Sequence, residues 1–160
     1  MKSLFSNIVV AISGSNASIM AAKYSIVMAK LYHCKLTAIY VVDTATIRQL
    51  TMSRIFVQQE SLEYEKSLME NGTRYLAFFE ELAKAKGVKV EKELRKGTVY
   101  TEILLAAEER NADIIILGGW EKDRNARDII GHSHHEVMAN AKCSVLLVKE
   151  PNIDILFKNA

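Results

Sequence analysis

Gly118-Gly119 and Gly131-His132-Ser133 bracket a polar, largely charged stretch, and if this chain holds a ligand, it holds it here. Ahead of them, Ile114-Ile115-Ile116-Leu117 is a continuous apolar run. Such a run suits a strand buried on both faces of a parallel sheet. A Gly pair after it lets the backbone turn without a Cβ penalty. Gly131 then opens a short helix on this reading. A loop after a parallel strand, followed by a helix N-terminus, is where α/β proteins take anions and nucleotides. Lys122, Arg124 and Arg127 in the loop could meet phosphates, and Trp120 either covers a ligand or makes an interface contact.

Other chemistries are weaker. His132 and His135 are three apart and could share a helix face with Glu136 nearby, a metal-like arrangement together with His134. No further ligand at suitable spacing completes a set, so these histidines read as exposed helix residues or part of an anion site, and no metal is assigned. Ser13-Gly14-Ser15 lacks the nucleophile-elbow pattern, and Ser15 and Ser18 read as caps of the first helix. Cys34 and Cys143, each at the start of a strand, read as a reduced, buried pair rather than a disulfide. Asp113 marks a strand entrance. No carboxylate pair or triad emerges, so no catalytic residue is assigned and an enzyme reading ranks low.

The elements that must position these residues fit in one domain of 160 residues. Apolar residues make up 49% and charged residues 25%, an ordinary globular balance, and a net charge of +2 argues for neither nucleic acid nor an anionic membrane as partner. No stretch approaches a membrane span or a cleavable signal peptide, so the expected location is the cytoplasm. Ile8–Ile12 is the first strand and 17–32 the first helix; 35–42 is the second strand, ending at Asp43. The segment 44–57 resists assignment. An amphipathic helix spans about 60–85, with Gly72 a candidate kink and Gly87 its cap. Residues 88–94 alternate as an edge strand does. Thr98 is expected to cap a third helix, with Glu102 suiting its positive end. Cys143–Val148 is the last strand, and Pro151 ends the domain, 1–150, leaving 151–160 as a tail. Strands alternating with helices imply a doubly wound parallel sheet.

In that order and at those separations, several segments together resemble the universal stress protein family. They are Ile8–Ser15, Leu36–Asp43, Gly97-Thr98 with Glu102–Leu104, Asn111–Gly118 and Ala141–Val148. The resemblance implies a three-layer α/β fold of the adenine nucleotide alpha hydrolase-like type, with a five-stranded parallel sheet in the order 3-2-1-4-5. It also implies a homodimer through the last strand. Some members bind ATP or AMP, and binders carry an Asp after the first strand and a motif of Gly, two residues, Gly, nine residues, then Gly and Ser or Thr. Here Gly118 and Gly131 match, Glu121 stands at the second glycine, His132 at the Ser or Thr, and Ser13 at the Asp. The implied nucleotide contacts are Ser13, Val41, Gly118, Gly119, Gly131, His132 and Ser133. Two readings follow: a regulatory module that binds an adenine nucleotide weakly, and a nucleotide-independent interaction module on the same scaffold. The regulatory partner is not specified by either.

Overall fold

Parallel pairing of five strands organises the computed structural model, which describes residues 3–119 and 127–160. Trp120, Glu121, Lys122 and Arg124, and the side chain of Arg127, lie outside the described residues. The strands are β1 (Asn7–Ile12), β2 (Lys35–Asp43), β3 (Val90–Gly97), β4 (Ile114–Gly118) and β5 (Ser144–Val148), in the order β3-β2-β1-β4-β5. Every strand pair is parallel, as expected. β3 lies at the edge that the charge alternation suggests, shifted to start at Val90 and run on to Gly97.

Alternation along the strands divides the core between the two faces. Ile8, Val10, Ile12, Leu36, Ala38, Val42, Ile114 and Ile116 pack on one face with α1 (Asn16–Tyr32) and α3 (Gln58–Ala85). Val9, Ile39, Ile115 and Leu117 pack on the other with α4 (Val99–Glu109) and α5 (Arg127–Asn140). Each fully buried Ile, Val or Leu contributes about 1.5–3 kcal/mol relative to exposure. Cys34 packs against the first cluster and Cys143 against the second, so the sheet separates the two free thiols.

Several local expectations are corrected. Residues 44–57, which local pattern does not assign, contain α2 (Thr44–Met52), and Asp43 caps it by accepting from Thr46 N at 3.0 Å. α3 runs through Gly72 as one helix of 28 residues. A Cβ at Gly72 would stand 2.5 Å from Cδ1 of Tyr40 and 2.8 Å from Cδ1 of Leu94, so this glycine seats the helix on the sheet. Its cost of about 1 kcal/mol against Ala is offset by that packing. Thr98 occupies the N-cap of α4 without making a side-chain cap bond, while Glu102 lies in the first turn, as expected, and also accepts from Arg95 Nε at 2.8 Å. The segment 151–160 folds back as α6 (Ile153–Asn159): Ile153 is buried, and Asp154 pairs with Lys23 at 2.6 Å. Finally, α5 begins at Arg127, so Gly131 lies inside the helix and does not open it. In a helix begun there, N–H groups from residue 131 onward bond to carbonyls four residues earlier.

Candidate functional site

The turn between β1 and α1 is built from serines. Ser15 is the N-cap of α1 and accepts from Ser18 N at 3.1 Å. Ser18 Oγ accepts from Ser13 N at 2.6 Å, and the hydroxyls of Ser13 and Ser15 are 3.0 Å apart. A residue after β1 whose side chain and N–H both bond within the turn is held rigidly at the carboxyl end of the sheet.

Across from this turn lies the end of β4. A Cβ on Gly118 would be 2.6 Å from the backbone carbon and oxygen of Ala17 and 2.9 Å from Ser18 N. Only glycine lets the first turn of α1 approach β4 so closely. Gly119 extends the strand pairing by donating its N–H to Val148 O at 3.0 Å, where a Cβ would stand 2.8 Å from that oxygen. Both glycines are therefore required by contacts within the protein itself. From α5, His134 Nε2 donates to Gly118 O at 2.7 Å; the acceptor is a carbonyl, so Nε2 must carry the proton.

Between these walls is a cleft of about 180 Å³ at the carboxyl ends of β1, β2 and β4. Its apolar lining comes from Ile39 and Val41 of β2, Val99 and Ile103 of α4, Leu117 and Val137. Ser13, Ser15, Ser18, Ser133 and His134 supply the polar groups, and no Asp, Glu, Lys or Arg lines it among the described residues. Tyr40 closes one side; burial, then the neighbouring Tyr75 and Tyr64, pushes its phenol pKa up, so it stays neutral. The cleft can hold a flat, mostly apolar group and offer hydroxyls to a polar neighbour of that group.

Of the residues singled out in the sequence, Ser13, Val41, Gly118, Gly119 and Ser133 line this cleft. Gly131 sits within α5 rather than at its start, and His132 is exposed, its ring meeting Tyr100 edge-on at 5.7 Å. No three His, Cys, Asp or Glu side chains converge among the described residues. Asp113 has a structural task, with Oδ2 accepting from Ser6 N at 2.8 Å and Asn7 N at 2.9 Å to tie the start of β1 to β4. Sequence reasoning missed Val99, Ile103 and His134 as cleft residues. The Gly97-Thr98 helix start signalled the first two; nothing local distinguished His134 from its neighbours.

The universal stress protein family model matches residues 4–149. The chain belongs to the universal stress protein family. Among its relatives, universal stress protein MJ0531 of Methanocaldococcus jannaschii is 33% identical over 150 residues, covering 94% of this chain and 85% of that protein. The solved structure of hypothetical protein MJ0577 superposes with a TM-score of 0.77 at 22% identity, covering 94% of this chain and 99% of that one. A universal stress protein in complex with cAMP matches at a TM-score of 0.67 and 21% identity, with 92% and 99% coverage. The Archaeoglobus fulgidus universal stress protein in complex with dAMP matches at 0.63 and 15%, with 92% and 100% coverage. At these identities the structural likenesses bear on the fold, which is the adenine nucleotide alpha hydrolase-like fold of the family. No helix among the described residues is long and apolar enough to cross a membrane.

Proposed function

We propose that this universal stress protein is a regulatory module that takes the adenine of ATP or AMP in the cleft between β2, α4 and α5. The observation that carries this reading is the match between a largely apolar slot at the carboxyl ends of β1, β2 and β4, lined by no charged side chain among the described residues, and a purine ring. The hydroxyls of Ser13 and Ser133 would meet the ribose. The solved relatives in complex with cAMP and dAMP support the choice of adenine. Binding is weak on this reading, because Ser13 offers no carboxylate to a ribose or metal and Glu121 brings a negative charge to the phosphate loop. One like-charge contact at 4 Å costs about 1 kcal/mol in water and about 4 kcal/mol at an effective dielectric of 20. The module works in the cytoplasm as a homodimer through β5 and signals to a protein partner.

A second reading, an interaction module that uses no nucleotide, is favoured by one observation: Gly118 and Gly119 are both accounted for by backbone packing. Calorimetry with adenosine, AMP, cAMP and ATP separates the two. The expected result is saturable heat in the high micromolar range, tightening when Ser13→Asp is combined with Glu121→Gly. If neither protein gives heat with any of the four, the nucleotide reading is wrong and the interaction reading stands.

A further inference from the structure

At the opposite, amino end of the sheet lies a second and larger cleft, of about 770 Å³, which the adenine reading does not use. Its floor is the entry of β1 and β2, with Ile8, Val9 and Leu36. Its rim carries Lys30, Lys35, Lys86, Lys89 and Arg110 against one carboxylate, Glu91. That carboxylate is already paired with Arg110. Elsewhere Lys23 pairs with Asp154, Lys92 with Glu80, Lys96 with Glu65 and Lys142 with Glu108, while Arg48, Arg54 and Lys66 make no ion pair among the described residues and line no shared cleft with one another. The ammonium groups of Lys30, Lys35 and Lys89 make no ion pair or hydrogen bond among the described residues.

Positive charge at this end could be no more than compensation for helix ends, since α1, α3 and α4 all finish here. The caps argue otherwise. His33 (φ 53), Gly87 (φ 71) and Asn111 (φ 51) turn each chain in the left-handed region and line the cleft. Behind them Cys34 N, Val88 N and Ala112 N donate to the carbonyls of Ala29, Ala83 and Ala107 at 3.1, 2.9 and 2.8 Å. These bonds close the last turn in the manner of a Schellman cap, and they satisfy carbonyls without lysine. Each helix end still presents about half a negative charge, which the five rim cations exceed even with Glu91 and Glu93, both paired with Arg110, added.

We propose that this amino-end cleft is a binding site for a small multivalent phosphate anion, held by Lys30, Lys35 and Lys89. Its concave shape and its volume suit a small molecule rather than a nucleic acid, since such pockets typically enclose about 300–1,000 Å³. Three exposed lysines lining one cleft, none paired with an acid among the described residues, favour an anion of several charges over orthophosphate. The site stands whether or not adenylate binds at the other end.

The test titrates the full chain with inorganic tripolyphosphate at low salt, where surface charges are least screened. One saturable site is expected, unaffected by saturating adenosine, which carries no phosphate. Lys30→Ala/Lys35→Ala/Lys89→Ala should weaken it by about tenfold or more, while the corresponding triple Arg variant, which keeps the charges, should bind nearly as the natural protein does. Absence of heat with tripolyphosphate overturns the proposal. So does an unaffected triple Ala variant, competition by adenosine, or a single-stranded RNA oligonucleotide that binds more tightly than tripolyphosphate. Failure of the adenosine titration alone would leave this site untouched and count only against the adenine reading.

Discussion

His134 Nε2 lies 2.7 Å from the carbonyl oxygen of Gly118, so one side chain of α5 fastens the end of the central strand β4 beside the cleft. A neutral hydrogen bond of this kind is worth about 0.5–1.5 kcal/mol net. His134→Ala should lower unfolding stability by about that much in urea titrations, and His134→Gln, which can present an amide N–H at similar reach, should recover part of it. Equal losses in both variants would show that the bond itself contributes nothing.

Gly118 should tolerate no side chain even without ligand. A methyl group there would meet the Ala17 backbone at 2.6 Å, and backbone at a helix start yields less readily than a side-chain tip. Overpacking of this sort costs about 1–3 kcal/mol. Gly118→Ala should lower the urea midpoint of the ligand-free protein, whereas a glycine kept only for nucleotide contact would leave that midpoint unchanged.

Acid should destabilise the protein partly through Glu93. Burial alone would raise its pKa, but hydrogen bonds from Arg95 and from Arg110, the latter at 2.9 Å, outweigh burial and hold the carboxyl below its ordinary range. A carboxylate with a depressed folded pKa stabilises above its unfolded value, about 4.3, and loses that contribution as pH falls through the folded value. Glu93→Gln should therefore cost about 1–2 kcal/mol at neutral pH and flatten the stability decline below about pH 4.3. An acid limb identical to that of the natural protein would contradict this account.

Among the described residues β5 pairs with β4 alone, so its other edge has no partner strand, and Val145, Leu146 and Leu147 are only half-buried. An apolar edge of this kind invites pairing, and two-fold pairing closes it. Light scattering at micromolar concentration should report a dimer, and Leu146→Lys should shift it toward monomer. A monomeric natural protein would rule out the β5 interface.

The layers, and the segments that form the interior strands, were legible in the order of the residues. Ile8–Ile12 and Ile114–Leu117 are apolar at every position because both faces of a central parallel strand meet helices, and that signal is local. Charge alternation over residues 88–94 likewise identified an edge. Of the seven residues that the family pattern singled out, Ser13, Val41, Gly118, Gly119 and Ser133 line one cleft, and Gly131 and His132 are not among its described lining. Folding alone explains why Gly72 and Gly118 are glycine, since the atoms they make room for belong to Tyr40, Leu94 and Ala17, far away in the chain. It decided that α5 starts at Arg127, which places Gly131 inside the helix, and that His134, one of three similar histidines, reaches β4. The amino-end cleft was invisible for the same reason. Lys30, Lys35 and Lys89 are spread along the chain, and only the parallel sheet, which sets all its strand entries at one end, brings their charges together.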